Sequence, residues 1–150
     1  MEQFDAEKAK RVWQRVRGTE EEAQPEMSLQ ALAVEEKRSA ARYLMLSRLM
    51  QGRSKMLLRQ LAEQSRSHAA CLNGMSLMEG GKVLSTRINP PVDEMPLVAL
   101  RKCYAHTLQS ASAYAQRQHD EEYGHVFSRL SRQAREQGMA ILEILGSLER

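Results

Sequence analysis

Apolar residues recur every three to four positions along most of this chain, which is the period of a helix face buried against a core. The pattern predicts four long helices, over about residues 28–50, 54–78, 96–118 and 121–150. A serine and a proline stand where the first and third helices would begin, as capping preferences require. Strand signals are essentially absent, so the sequence predicts an all-α protein.

Each predicted helix carries one stripe of residues that should face the core. On the first helix the stripe is Leu29, Leu32, Glu36, Ser39, Tyr43, Leu46 and Met50. On the second it is Leu58, Leu61, Ser65, His68, Leu72 and Met75. On the third it is Leu97, Leu100, Tyr104, Thr107, Ala111 and Tyr114. On the fourth it is Tyr123, Phe127, Leu130, Ala134, Gln137, Ile141, Ile144 and Leu148. Four stripes of similar length indicate a four-helix bundle.

Two stretches outside these helices set the domain organisation. Residues 80–94 form a loop far longer than a tight turn needs, so we predict a crossover that runs along the bundle. Residues 28–150 form the predicted bundle, and residues 1–27 are predicted to hold a short helix over 5–17 and an acidic linker. The apolar edge of the short helix is Val12, Trp13 and Val16. Because so short a helix is marginal alone, it should dock on its own bundle or on a partner, such as a second copy.

Composition narrows the class of protein. With 150 residues, 42% of them apolar and 27% charged, the chain fits a single globular domain. The net charge is only +3 and opposite charges alternate along the helices, which indicates solvated faces and no nucleic-acid partner. No apolar run suits a membrane span, and the N-terminus lacks the apolar core of a secretory signal. Cys71 and Cys103 are expected to be reduced thiols of a cytoplasmic protein.

Two ionisable residues occupy stripe positions and need partners in the core. A bare buried carboxylate is costly, so we expect Glu36 to pair with His68 across the bundle. Further buried polar groups could complete a network around this pair, namely Tyr43, Ser65, Tyr104, Thr107 and Gln137.

Three motifs on these helices resemble those of a known family. Glu36, followed seven positions later by Tyr43, is similar to a ligand glutamate and the buried tyrosine after it. The run 61–69, LAEQSRSHA, resembles a second-helix pattern in which Glu stands three residues before His. The run 123–127, YGHVF, resembles the fourth-helix segment whose Phe precedes a second Glu-x-x-His by seven residues. In order and spacing the motifs resemble the ferritin-like superfamily, and within it rubrerythrin-type domains, over about residues 28–148.

The resemblance implies a fold and an ancestral metal site. In this family two iron or manganese ions bind between the helices, held by a Glu from each of two helices and a Glu-x-x-His from each of the other two. Carried over by position, Glu36 and His68 match this ligand set. Three ligand positions have been lost, with Ser65 and Ala134 in place of Glu and Gln137 in place of His. The third-helix ligand should fall near Tyr104 or Thr107, and neither is a carboxylate.

The loss of carboxylates bears directly on function. One carboxylate against two divalent ions leaves about three charges uncompensated in a low-dielectric core, which disfavours a di-iron site by many kcal/mol. We therefore expect a non-catalytic structural or interaction module without a cofactor. Its predicted contact with a protein partner, or with a second copy in a homodimer, is the N-terminal helix.

Two metal alternatives remain open. A single divalent ion or a di-iron pair that uses Glu36 and His68 would make the protein a metal-binding oxidoreductase or a metal-handling protein. His68 with Cys71, and Cys103 with His106, also form two i, i+3 pairs that formally supply a zinc ligand set. However, Cys103 and His106 are expected beside the stripe of the third helix.

Overall fold

The computed structural model describes residues 27–82, 88–89 and 94–148, and the regular structure in these ranges is helical. The helices are α1 (Leu29–Leu49), α2 (Gly52–Met78), α3 (Pro96–Gln116) and α4 (Gly124–Leu148). The described ranges contain no strand, so the all-α prediction is confirmed there. No described helix is long and apolar enough to cross a membrane. The short helix expected over residues 5–17 lies outside the described residues.

Local side-chain contacts explain where two of the helices begin. The Ser28 hydroxyl accepts a hydrogen bond from the backbone N–H of Ala31 at 3.1 Å, which satisfies one of the free donors at the start of α1. Before α4, Asp120 Oδ1 accepts from the backbone N–H groups of Tyr123 and Glu122 at 2.8 and 2.9 Å. These backbone donors, the first of them Tyr123, lower the pKa of Asp120 because they stabilise its charged form.

The helix boundaries differ from the sequence prediction at three places. The second helix begins at Gly52 rather than Ser54, because Gly52 adopts a φ of +62° and lets the chain turn directly from one helix into the next. The third helix ends at Gln116, and the turn capped by Asp120 delays the fourth until Gly124.

The helices pack as two antiparallel pairs, α1 with α2 and α3 with α4. The pairs meet where α1 approaches α3 and α2 approaches α4. Two apolar clusters fill the space between them. The first apolar cluster contains Leu29, Leu32, Ala33, Leu72, Met75, Ala111, Tyr114, Tyr123, Phe127, Leu130 and Ala134. The second apolar cluster contains Tyr43, Leu46, Met50, Leu58, Leu61, Ala62, Ala99, Leu100, Cys103, Ile141 and Ile144.

The clusters define the course of the chain between the two pairs. The last turns of α2 contribute Met75 to the first cluster, whereas the first turn of α3 contributes Ala99 to the second. The segment 79–95 therefore joins opposite ends of the bundle, and α2 and α3 run parallel. This is the connection that the length of the segment predicts.

The predicted stripes match the buried faces with a few corrections. All six stripe residues of α2 are buried, whereas Ser39, Leu97 and Tyr104 are only half-buried and Leu148 is 42% exposed. Cys103, which the sequence placed beside the stripe of α3, is buried in the second cluster. The difference arises because α3 packs against both α1 and α4, so its buried face is wider than one row of side chains.

Candidate functional site

A layer of polar side chains separates the two apolar clusters at mid-height of the bundle. Each helix passes from one cluster to the other through at least one buried polar residue. These residues are Glu36 on α1, Ser65 and His68 on α2, Thr107 on α3 and Gln137 on α4. Together with the half-buried Gln133 and the hydroxyl group of Tyr114, we call them the polar layer.

One chain of contacts in this layer connects all four helices. The Tyr114 hydroxyl of α3 donates to Glu36 Oε1 of α1 at 2.6 Å. His68 Nδ1 of α2 lies 3.5 Å from the same oxygen. On the other side of the imidazole ring, Nε2 donates to Gln133 Oε1 of α4 at 2.8 Å. The pairing of Glu36 with His68 that the sequence predicts is thus present as a close contact, with a tyrosine and a glutamine at its two ends.

The centre of this chain is well buried but incompletely bonded. The side chains of His68 and Glu36 are only 4% and 6% exposed. His68 Nδ1 has no hydrogen-bond partner among the described residues, although it faces the Glu36 carboxylate. Unmet polar atoms are rare in protein cores because losing water costs about 1–3 kcal/mol. His68 Nδ1 is therefore the atom of the layer with an unused bonding capacity.

Burial keeps the hydroxyl groups of the two core tyrosines protonated. It raises the pKa of Tyr114, and the charge and hydrogen bond of Glu36 raise it further. The pKa of Tyr43 is also raised, first by burial and then by Cys103 and Glu36. Both phenols stay protonated at neutral pH, so Tyr114 acts as a hydrogen-bond donor to Glu36.

A second contact crosses the layer between α2 and α4. Gln137 Nε2 donates to Ser65 Oγ at 3.4 Å, which is a long hydrogen bond. Thr107 does not join it, because its hydroxyl donates to the Tyr104 carbonyl of the same helix at 2.6 Å. The sequence thus predicted that Ser65, Thr107 and Gln137 are buried, but it did not predict which group each of them bonds.

Gly138 brings α3 and α4 close together beside the layer. A Cβ atom at this position would lie 3.1 Å from Thr107 Oγ1 and 3.5 Å from the Tyr104 ring. Glycine is the residue that permits such an approach of two helices.

Two residues expected in the network lie outside it, and two others take their place. Tyr43 belongs to the second apolar cluster, and Tyr104 packs against that cluster while half-buried. Tyr114 was expected as a core residue and Gln133 was not singled out. The antiparallel course of α1 and α3 could have predicted that Tyr114 lies near Glu36. Gln133 lies beside the stripe of α4, where a polar residue is expected to face solvent, so nothing in the sequence singled it out.

The layer does not fit the pair of metal ions that the resemblance implies. Glu36 is its only carboxylate, and Ala134, where the resemblance implies a ligand glutamate, lies within the first apolar cluster. No group of three or more His, Cys, Asp or Glu residues that could hold a metal ion occurs in the described part of the chain. Two divalent ions would therefore meet a single negative charge, a balance that the low-dielectric core strongly disfavours.

The zinc ligand set is not brought together either. Cys71 packs against the first apolar cluster, whereas Cys103 belongs to the second, on a helix that does not adjoin α2. Burial raises the pKa of the Cys103 thiol to about 11, against the opposing effect of the Arg42 guanidinium. At neutral pH this thiol is neutral and behaves as a small apolar residue.

Solvent reaches the edge of the layer through a cleft between α2 and α4. The cleft has a volume of about 250 Å³, and its polar lining includes Gln60, Gln64 and Gln137. Gln133, which bonds His68, lies one helical turn before Gln137 on the same helix. The cleft therefore opens beside the layer at Gln137.

The polar layer carries the functional argument by its own geometry. Comparison with protein-family models, with curated proteins and with solved structures gave no match to this chain.

Proposed function

We propose that this chain is a ferritin-like bundle, related to rubrerythrin-type domains, in which a bonded polar layer stands in the place of a di-metal centre. Its function is that of a non-catalytic structural or interaction module. The proposal includes a cytoplasmic location, for which the two unpaired cysteines are the support. It also includes association with a protein partner or a second copy at a surface to which the N-terminal helix contributes.

The observation that carries the proposal is the bonding at the former ligand positions. Glu36 accepts from Tyr114 and faces His68, while Gln137 donates to Ser65. Side chains at the positions that hold ions in the family thus bond or face one another here. A catalytic centre needs open coordination positions, and here the neighbouring helices supply most of the contacts.

A polar layer of this kind suits a module whose shape must be defined. A mismatched helix register would leave Glu36 without Tyr114 and His68 without Gln133, and each buried group left unbonded costs about 1–3 kcal/mol. The layer thus disfavours shifted arrangements of the helices, as single buried polar residues do in coiled coils. With the helices held in a single register, the outer surface of the bundle keeps one shape that a partner can recognise.

Metal analysis of protein purified without chelator tests the proposal. We expect substoichiometric iron and manganese, and a thermal midpoint that is unchanged by added iron or by chelator. The His68→Gln variant is the matched control, because an amide can keep the Gln133 contact but binds metals poorly. Two equivalents of iron or manganese in the wild type, lost in this variant, would refute a non-catalytic role.

One observation favours a second function, in which a single divalent ion binds at Glu36 and His68. The unbonded Nδ1 of His68 lies 3.5 Å from Glu36 Oε1. Two ligand atoms about 2 Å from a zinc ion are about 3.3 Å apart at the tetrahedral angle, so the spacing is suitable. Gln137 or water would have to complete the coordination, and the chain would then handle metal ions or act as an oxidoreductase.

Titration calorimetry separates the two functions. Zinc and manganese are added to wild-type protein and to the Glu36→Gln and His68→Gln variants. Stoichiometric binding that both variants abolish supports the single-ion site, whereas binding that persists in both places the ion on surface residues. Absence of binding at millimolar metal removes the second function and leaves the first.

A further inference from the structure

An exposed apolar patch lies on the outer side of the α3–α4 pair. Gly138 of α4 contacts Thr107 of α3, and the next residue on each helix, Met139 and Leu108, is exposed. Leu142 follows one turn farther along α4. The exposed fractions of Leu108, Met139 and Leu142 are 48%, 67% and 41%. We call these three residues the α3–α4 patch.

A basic ridge leads along α4 towards this patch. Arg129, Arg132 and Arg135 are exposed and follow one another at intervals of three residues. Arg132 has a single contact of 4.0 Å with Glu136. Arg129 and Arg135 form no ion pair with any residue that the structure describes. The ridge thus offers positive charge that the described part of the bundle leaves largely uncompensated.

The chain before α1 leaves the bundle at the start of this ridge. The Arg117 guanidinium, at the end of α3, donates through Nη2 to the Met27 carbonyl. Its Cζ atom also lies 5.4 Å from the centre of the Phe127 ring of α4. Met27 is therefore held beside the turn between α3 and α4. This is the end of the bundle at which the preceding 26 residues of the sequence are attached.

The chain before Met27 is long enough for its acidic run to reach every arginine of the ridge. Glu22 and Glu20 precede Met27 by five and seven residues, which span about 17 to 23 Å when extended. Arg129 to Arg135 lie about 8 to 16 Å along α4 from its first residue. Met139, about 22 Å along the same helix, is then within the reach of the residues before Glu20.

We propose that the N-terminal segment, residues 5–26, folds back along the α3–α4 pair. Its acidic run, Glu20 to Glu22, pairs with the basic ridge, and its apolar edge of Val12, Trp13 and Val16 covers the α3–α4 patch. The ridge supplies positive charge for the acidic run, and the patch supplies an apolar surface for the apolar edge. The segment is too short to hold a helix alone, and the patch exposes large apolar side chains to water.

Trp13 is the only tryptophan of the chain and reports directly on this docking. We expect its fluorescence in the wild-type protein to be blue-shifted and protected from acrylamide. In the Met139→Glu/Leu142→Glu variant the emission should shift to the red, and quenching should rise towards that of the urea-unfolded chain. The matched control is Met56→Glu, a 47% exposed methionine on the outer face of α2, which should leave the emission unchanged.

A charge exchange tests the contact with the ridge. Arg132→Glu/Arg135→Glu should also expose Trp13, and adding Glu20→Lys, Glu21→Lys and Glu22→Lys to that variant should restore the protection. Circular dichroism establishes that each variant keeps its helices. Wild-type Trp13 emission as red as that of the unfolded chain would overturn the proposal, as would a response to Met56→Glu alone. Emission that depends on protein concentration would place the segment on a second copy and likewise overturn it.

Discussion

The two apolar clusters and the polar layer between them are stabilised in different ways. Each cluster is built from closely packed side chains, most of them less than 6% exposed, and any of several apolar residues could fill most positions. The layer depends on particular pairs, such as Tyr114 with Glu36 and His68 with Gln133. The clusters therefore supply most of the stability, and the layer decides which arrangement of helices is stable.

The largest loss of stability is expected from the first apolar cluster. Phe127 is 1% exposed, stacks near Tyr114 at 6.5 Å between ring centroids, and lies beneath Arg117. Phe127→Ala should lower the free energy of unfolding by about 3–5 kcal/mol, because it removes buried area and leaves a cavity. Urea unfolding measures this value. A loss below that of the layer variants would contradict the division between clusters and layer.

A smaller loss is expected when the layer loses its carboxylate. Glu36→Ala removes the acceptor of Tyr114 and the group that faces His68, and should cost about 1–3 kcal/mol for the buried groups left unbonded. Glu36→Gln is the control and should cost less, since its amide oxygen still accepts from Tyr114. Equal losses in the two variants would show that the Tyr114 contact contributes nothing.

Two glycines within helices should respond differently to the same substitution. A Cβ atom at Gly74 of α2 meets nothing within 4 Å, so Gly74→Ala should stabilise the protein by about 0.5–1 kcal/mol through helix propensity. At Gly138 the Cβ atom would press on Thr107 Oγ1, which its hydrogen bond to Tyr104 holds in place. Gly138→Ala should therefore gain less than Gly74→Ala or lose stability. Thermal unfolding of the two variants compares them, and an equal gain would contradict a close approach of α3 and α4.

The two thiols should differ in chemical reactivity, an effect that does not depend on a change in stability. Burial raises the pKa of Cys103 to about 11, so its thiolate at pH 8 should be about a hundredfold scarcer than that of a thiol with the ordinary value near 9. We expect Cys103 in a Cys71→Ser variant to react slowly with a disulfide reagent and faster as the pH rises towards 11. The half-buried Cys71, in a Cys103→Ser variant, is the comparison. Equally fast reaction of both at pH 8 would contradict the burial of Cys103.

The sequence anticipated the fold because helix stripes record burial directly. Every stripe position on α2 is buried, including the two polar ones, Ser65 and His68. Each helix contacts two others, so its buried face is wider than one stripe, and Cys103 is buried although it lies beside the stripe of α3. The stripe residue Leu148 is exposed at the last position of α4.

The membership of the polar layer was only partly predictable. Glu36 and His68 stood out because ionisable groups at buried positions need partners. Tyr114 and Gln133, which bond them, did not stand out, because the pattern predicts an ordinary core aromatic residue at Tyr114 and a surface residue at Gln133. Hydrogen bonds join atoms within about 3 Å, and a helix rotated by a few tens of degrees exchanges one partner for another. Stripe patterns do not resolve such rotations.

For the described part of the chain, the sequence by itself determined the four long helices, the buried face of each and the presence of ionisable groups in the core, because these depend on the local periodicity of apolar residues. The tertiary structure decided that Glu36 bonds Tyr114, that His68 reaches Gln133, and that Cys71 and Cys103 lie in different clusters. Contacts of this kind depend on the rotation and register of helices that are distant in sequence, and many weak packing interactions fix these together.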